Sequence, residues 1–221
     1  MYIPQAFSSQ DLAALDRLAA YDAFGTLVSQ VDGAPFVSHL PMLYRRAEER
    51  VTLTGHWARA NPQWRDIAGQ RVLFIFQGPH AYISPRWYAE PQKNVPTWNY
   101  AVAHVYGRVR VIHEEGELEE IVTALAAKYE AGAAAPWRFE QTGVAGRTRL
   151  KAIVGLELCA DEIQIKLKLG QNHQAASMAG AVDGLRAVGS EKAAAVASWM
   201  EELTGPAACE PAGTGRYPGE R

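Results

Sequence analysis

Several things are scarce in this 221-residue sequence, and each scarcity narrows the field. It has two cysteines, Cys159 and Cys209, too few for a disulfide framework and not in a metal-ligand spacing. Free thiols in a reducing cytosol are the expected state. Charge of either sign is not in surplus: 22 Lys and Arg stand against 24 Asp and Glu, a formal net charge of −2. A whole-chain electrostatic footprint for duplex DNA is therefore missing, and direct DNA contact is left undecided. No apolar run approaches the roughly 20 residues needed to span a bilayer. No secretory n- and h-region opens the chain, so a cytoplasmic location is expected.

Catalytic signatures are absent as well. There is no GxGxxG or GxxxxGK[ST] phosphate cradle and no G-x-S-x-G nucleophile elbow. The six histidines form neither HExxH nor a Cys/His cluster, so no metal site is expected.

What remains is an ordinary composition, 48% apolar, 21% charged and 10% aromatic, sufficient for a sizeable core. Ser8-Ser9-Gln10-Asp11 reads as a helix start with Leu12, Leu15 and Leu18 behind it. Asp32-Gly33 lies between two β-like runs, 24–31 and 35–43, a strong hairpin signal. Strands are expected over 50–54, 71–77, 80–84, 99–113, 152–158 and 163–169, and a helix from 114. The run 71–77, apolar at most positions, suggests a central strand buried on both sides. In 99–113 the odd positions are small or apolar, suiting a tightly curved barrel interior. Ser190 is a candidate cap for a helix carrying Val196, Trp199, Met200 and Leu203. The last 17 residues hold four Gly and three Pro with little apolar content, which predicts a disordered tail over 205–221. The chain thus reads as one antiparallel barrel domain over 1–204, α+β and mainly β, with flanking helices and a C-terminal helical addition.

Chemistry concentrates in Gly55-His56-Trp57-Ala58-Arg59-Ala60-Asn61-Pro62-Gln63-Trp64. Arg59 offers a fork of donors suited to phosphate, and Gly55 allows close backbone approach. The alternative is a surface arginine beside a packed tryptophan pair. In Ser38-His39-Leu40-Pro41 the proline marks a place where a strand leaves its ladder, freeing groups for a ligand ring or simply ending the strand. Tyr82 and Ser84 leave one strand and Trp98-Asn99-Tyr100 enter another. Such aromatics either close a barrel or meet a ligand, and the Asn99 amide can both donate and accept. Lys168 and Gln171 end the last strand, as a site or as a plain turn.

Together these stretches resemble the PaiB-like FMN-binding proteins, often called FMN-binding negative transcriptional regulators. The resemblance rests on Met1-Tyr2-Ile3-Pro4, SHLP at 38–41, GHWARANPQW at 55–64, FQGPHAYISPRWY at 76–88, VPTWNYAVAHVYGR at 95–108, AIVGLEL at 152–158 and KLGQN at 168–172. That family is similar to the pyridoxamine-phosphate-oxidase-like split barrels. The resemblance implies a six-stranded antiparallel split β-barrel and a homodimer with FMN at its interface. It implies the Ser38–Leu40 backbone along the flavin ring, with Pro41 beside it. Thr54, Gly55, His56 and Arg59 would surround the ribityl phosphate, with Asn61 and Pro62 shaping the turn. Trp98, Asn99 and Tyr100 would come from the partner, and Lys168 and Gln171 would close the pocket. Gly170 departs from the KLSQN pattern by replacing its serine. The implied function is transcriptional repression; the alternatives are an FMN-dependent oxidoreductase, with His39 and Tyr82 as proton-donor candidates, and a haem-binding split barrel.

Overall fold

The Asp32-Gly33 turn takes positive φ at both residues, 52° and 75°, as a two-residue hairpin requires. In the computed structural model, which describes residues 1–204, it joins β2 (Phe24–Val31) to β3 (Ala34–Pro41). The tail expected over 205–221 lies outside the described residues.

The other strands are β1 (Ser8–Ser9), β4 (Leu43–Ala47), β5 (Arg50–Ala58), β6 (Arg71–Ile83), β7 (Thr97–Ile112) and β8 (Ile153–Lys168). They form one eight-stranded sheet in the order β3-β2-β6-β7-β8-β5-β4, with β1 paired to β8. The pairings of β1 with β8, β2 with β3 and β6, β4 with β5, and β5 with β8 are antiparallel. The eight strands include two short ones, β1 and β4, beyond the six that the resemblance implies. The helices are α1 (Leu12–Tyr21), α2 (Gln63–Asp66), α3 (Glu115–Glu130), α4 (Gly143–Leu150), α5 (Ala175–Val188) and α6 (Glu191–Thr204).

The chain divides into two units. The first comprises Met1–Gly78 and Ala101–Leu167; the second comprises Pro79–Tyr100 with the chain from Lys168 onward.

In the first unit, alternation decides what is buried. Along β7, Ala101, Ala103, Val105, Gly107 and Val109 face inward, and the phase slips at Val111 so that Ile112 is buried instead. The small residues there are steric necessities. A Cβ on Gly107 would stand 2.1 Å from the carbonyl oxygen of Cys159 on β8. β6 is central in the sheet order, yet it alternates instead of being sheathed on both sides: Val72, Phe74 and Phe76 are buried while Leu73 and Ile75 stay partly open. A second cluster, Ile112, Leu118, Ile121, Leu125, Phe139 and Leu150, is carried mainly by α3 with α4. α1 is capped by Asp11, whose carboxylate accepts from the Ala13 amide at 2.8 Å, and it buries Leu15 and Leu18. The two serines before it pair with β8 and do not cap the helix.

Three predicted breaks are absent. The expected strand at 50–54 continues to Ala58, the runs 71–77 and 80–84 are one strand, and so are 152–158 and 163–169. In the second unit, Ser190 accepts from the Ala193 amide at the start of α6, which buries Val196, Trp199 and Met200. Gly184 and Gly180 of α5 lie so close to Trp87 that a Cβ on either would collide with it.

Candidate functional site

The stretch 55–64 is half strand and half turn. Residues Gly55–Ala58 complete β5, in which Val51, Leu53, Gly55 and Trp57 face the core. Gly55 is glycine because a Cβ would sit 2.5 Å from Met42 Sδ and 3.0 Å from the Pro41 carbonyl oxygen. Its close approach is therefore to its own neighbouring strand. Trp57 is fully buried, and its indole N–H donates to Gln63 Oε1 at 3.0 Å, so it offers no stacking face.

Gln63 is the residue that sequence reasoning missed. Its amide is fully buried, and Nε2 donates to Ser29 Oγ at 3.0 Å and to the carbonyls of Leu27 and Phe36. It ties the turn to β2 and β3. An amide directly behind Asn-Pro in a polar turn gives no sign of this in sequence.

Asn61 works beside it. Its Nδ2 donates to Ser38 Oγ at 2.8 Å, and its Oδ1 accepts from the Gln63 amide at 3.0 Å. Pro62 precedes α2 with φ −70°. Thus Ser38 and Asn61, 23 residues apart, are joined directly. Ser38 and Leu40 point inward, whereas His39 is exposed, its Nδ1 3.2 Å from Thr26 Oγ1 and its ring stacked on Phe24. Pro41 is partly buried at the end of β3.

Thr54 and His56 occupy the opposite face of β5. Thr54 pairs with Leu43 and Glu157 and lines a small cavity with Arg110 and Glu117. His56 pairs with Gly155, whose missing Cβ would touch Leu118 and Ile121 of α3. The His56 Nδ1 is buried and has no hydrogen-bond partner among the described residues. Burial lowers the imidazole pKa from the ordinary histidine value, so the ring favours its neutral form.

Arg59 is held by three consecutive carbonyls. Its amide donates to Ala152 O at 2.7 Å, Nε to Lys151 O at 2.6 Å and Nη2 to Ile153 O at 2.8 Å. Two of its five guanidinium N–H groups are used in this way, and the arginine lines a cavity of about 330 Å³ with His113, Glu115, Leu118, Leu150 and Lys151.

In the second unit, Tyr82 and Trp98 are exposed with ring centroids 6.3 Å apart, and His80 lies 6.3 Å from the same indole. Ser84 is buried and accepts from the Arg86 amide, with Arg86 Nε also within reach at 3.3 Å. Lys168 Nζ donates to Thr97 Oγ1 at 2.6 Å and to the Trp98 carbonyl at 2.7 Å. Tyr100 is half-buried on the face of β7 that also carries Trp98. Asn99 turns inward, its Nδ2 3.4 Å from Met200 Sδ, and Gln171 Oε1 accepts from the Leu169 amide. Gly170 has φ +89°, which explains the departure from serine: a side chain would be strained there and would meet Met178.

An FMN molecule asks for hydrogen-bond partners along its ribityl chain, cations for its phosphate and flat surfaces for its ring. In the first unit, the unpartnered His56 Nδ1 and the Arg59 guanidinium with N–H groups to spare meet the first two of those chemical requirements. The donor set fits the group.

Sheet order and flanking helices define an antiparallel α+β protein of the flavin-binding split-barrel class. The chain belongs to the family described as "Putative FMN-binding domain", whose model matches residues 1–162, and FMN is the cofactor that this membership assigns. Protease synthase and sporulation protein PAI 2 of Bacillus subtilis (strain 168) is 35% identical over 204 residues, covering 91% of this chain and 97% of that protein. Among solved structures, the FAD and heme binding protein from Mycobacterium smegmatis aligns with a TM-score of 0.57 at 20% identity, covering 79% of each chain. The flavocytochrome Anf3 from Azotobacter vinelandii aligns at 0.53 and 16% identity, over 75% of this chain and 72% of that one. At such identities these two bear on the fold alone. No helix among the described residues is long and apolar enough to cross a membrane.

Proposed function

We propose that this protein is a PaiB-like regulator that binds FMN as a homodimer, with the flavin held where two copies meet. The observation that carries the reading is an open apolar sheet face in the first unit. Val28 is opposite both Val37 and Leu73, and Thr26 is opposite both His39 and Ile75, so these side chains share a face. Val37 is 47% exposed and Phe24, beside His39, is 56% exposed. Apolar side chains left exposed together on a sheet face call for a partner. A second copy covers it symmetrically, and a planar flavin is a natural filler between such faces. The near full-length likeness to PAI 2 supports the regulatory role.

The backbone of 38–41, with Thr54, Gly55, His56, Arg59, Asn61 and Pro62, is the cofactor wall in this reading. Tyr82, Ser84, Trp98, Asn99, Tyr100, Lys168 and Gln171 are its second group of contacts. Within that group Asn99 and Ser84 act by position, since both are buried. With a net charge of −2, repression through a partner is favoured over direct operator binding. A visible absorbance spectrum of the purified protein, with mass identification of the released chromophore, tests the cofactor. A colourless protein that ignores added FMN sinks the reading. A mobility-shift assay at low and moderate salt separates direct from indirect repression.

One observation favours a second reading, an FMN-dependent oxidoreductase. The exposed Tyr82 and Trp98, with the half-buried His80 beside them, form an accessible flat surface on which a second planar molecule can stack. Anaerobic mixing with reduced nicotinamides decides it: flavin bleaching supports an enzyme, and persistent colour excludes those reductants.

A further inference from the structure

β4 carries two adjacent arginines, Arg45 and Arg46, whose side chains leave opposite faces of the strand. Tyr44 and Arg46 turn to the Asp16 carboxylate, whereas Leu43 and Arg45 face α3. We propose that the cavity between β4 and α3 binds a free cationic α-amino acid, with Arg45 taking its α-carboxylate and Glu120 its α-ammonium.

The cavity, of about 560 Å³, adjoins a smaller one of about 130 Å³, and Arg45, Glu120 and Ala124 line both. On α3 the lining residues Glu117, Glu120, Ala124 and Ala127 recur at intervals of three and four, and the alanines leave the space open. One end is already set. Arg110 donates to Glu157 at 3.1 Å and pairs with Glu117 at 2.8 Å, so that guanidinium is committed. Arg45 and Glu120 are not: no ion pair or side-chain hydrogen bond engages either among the described residues. Opposite charges held apart on two walls of one cavity match a ligand that carries both, and a planar guanidinium takes a carboxylate in a two-pronged fork. Acidic groups alone would attract any cation; Arg45 is what selects for a carboxylate on the ligand. Glu119 and Glu140 line the larger cavity too, so five carboxylates face the two guanidinium groups of Arg45 and Arg110. Once the ligand's α-groups have met Arg45 and Glu120, negative charge is left over, which favours a cationic side chain. The volume suits a small molecule of this size. Thr54 is the one cofactor-wall residue that lines either cavity, so the inference stands apart from the flavin reading.

Titration calorimetry with L-lysine, lysine amide, L-norleucine and cadaverine is run on the wild type, Arg45→Gln and Glu120→Gln, and the flavin absorbance of each protein is recorded. Both positions are exposed, and the ligand analogues put the same questions to the unaltered chain. Arg45→Gln should weaken lysine about tenfold and leave cadaverine, which has no carboxylate, unchanged. Lysine amide should bind the wild type about tenfold more weakly than lysine and lose nothing further in Arg45→Gln. Glu120→Gln should weaken lysine and cadaverine alike, and norleucine should bind about tenfold more weakly than lysine. Cadaverine that matches lysine on the wild type, with Arg45→Gln without effect, reduces the cavity to a general attractor of cations and overturns the proposal. Norleucine as tight as lysine overturns the cationic class, and no heat with any ligand at millimolar concentration removes the site. Flavin lost from Arg45→Gln would give the cavity to the cofactor instead. A wild type that takes up no flavin yet binds lysine in the expected pattern leaves this site standing while the cofactor reading falls.

Discussion

At the scale of single residues, the turn after β5 is governed by a buried amide. Gln63→Ala removes the acceptor of the Trp57 indole and the donor to Ser29, both inside the protein. Leaving buried partners unsatisfied predicts a loss of about 3 kcal/mol, read as a shift in the urea midpoint. A change below about 0.5 kcal/mol would mean that water satisfies these groups and that the hub is dispensable. Charge state is the second residue-scale matter. Burial holds His56, His104 and His173 below the ordinary histidine value, His104 aided by the amino terminus and His173 by Lys168. The unfolded chain then takes up protons at about pH 6.5 while the folded chain resists them. Stability is accordingly complete above that pH and falls as the pH drops toward the folded values. Urea midpoints at about pH 7.5 and about pH 5.5 should differ in that direction, and His56→Gln should flatten the slope. An equal slope in wild type and variant removes His56 from the account. Residue identity misled where its reason was internal: Gly55 suggests ligand approach in sequence, but its neighbour is Met42. Trp57 is core, in line with the packed-tryptophan alternative. Arg59 reads in sequence as a donor suited to phosphate, whereas its contact with the Lys151 carbonyl, 92 residues away, leaves no local sign.

At the scale of elements, what was legible followed from local chemistry. The hairpin at Asp32-Gly33, the inward small residues of β7 and the Ser190 cap all depend on near neighbours. The errors lay where long strands cross unpromising residues. Cys159–Glu162 looks like a break because its side chains are polar or small, yet the ladder runs through and leaves them at an exposed stretch of β8. β4 was hidden because its side chains are mostly polar. What fixes β4 is a tertiary network: Tyr44 Oη donates to Asp16 Oδ1 at 2.6 Å, and Arg46 bridges the same carboxylate. The Arg46 hydrogen bond holds the Asp16 carboxyl below its usual value against the opposing effect of burial. Tyr44→Phe should therefore cost about 1 kcal/mol by chemical denaturation at neutral pH. The Asp16 contribution is present above the unfolded carboxylate pKa and is lost as the pH falls through the lower folded value, a window separate from that of the histidines. A Tyr44→Phe protein as stable as the wild type would leave β4 held by its ladder to β5 alone.

For the whole molecule, sheet order and family membership agree, and the open question is what covers the β2–β3–β6 face. If a second copy does, a charge placed at its exposed centre should prevent association, because an ionised carboxylate buried without a partner costs several kcal/mol. Val37→Glu is suited to this test. Val37 is already 47% exposed in the single chain and opposes Val28 in the hairpin, so the monomer tolerates the change better than an interface does. Sedimentation velocity should report a dimer for the wild type and a monomer for the variant. Visible absorbance should show flavin lost in parallel if the cofactor needs both copies. The two readouts divide the possibilities. A monomeric variant with full flavin keeps the interface on this face and confines the cofactor to one chain. A variant that still sedimentates as a dimer moves the interface off the face, and a wild type that is monomeric at every concentration ends the dimer reading altogether. Each result turns on whether this apolar sheet surface is left open to water, which its exposed valine and phenylalanine make unfavourable.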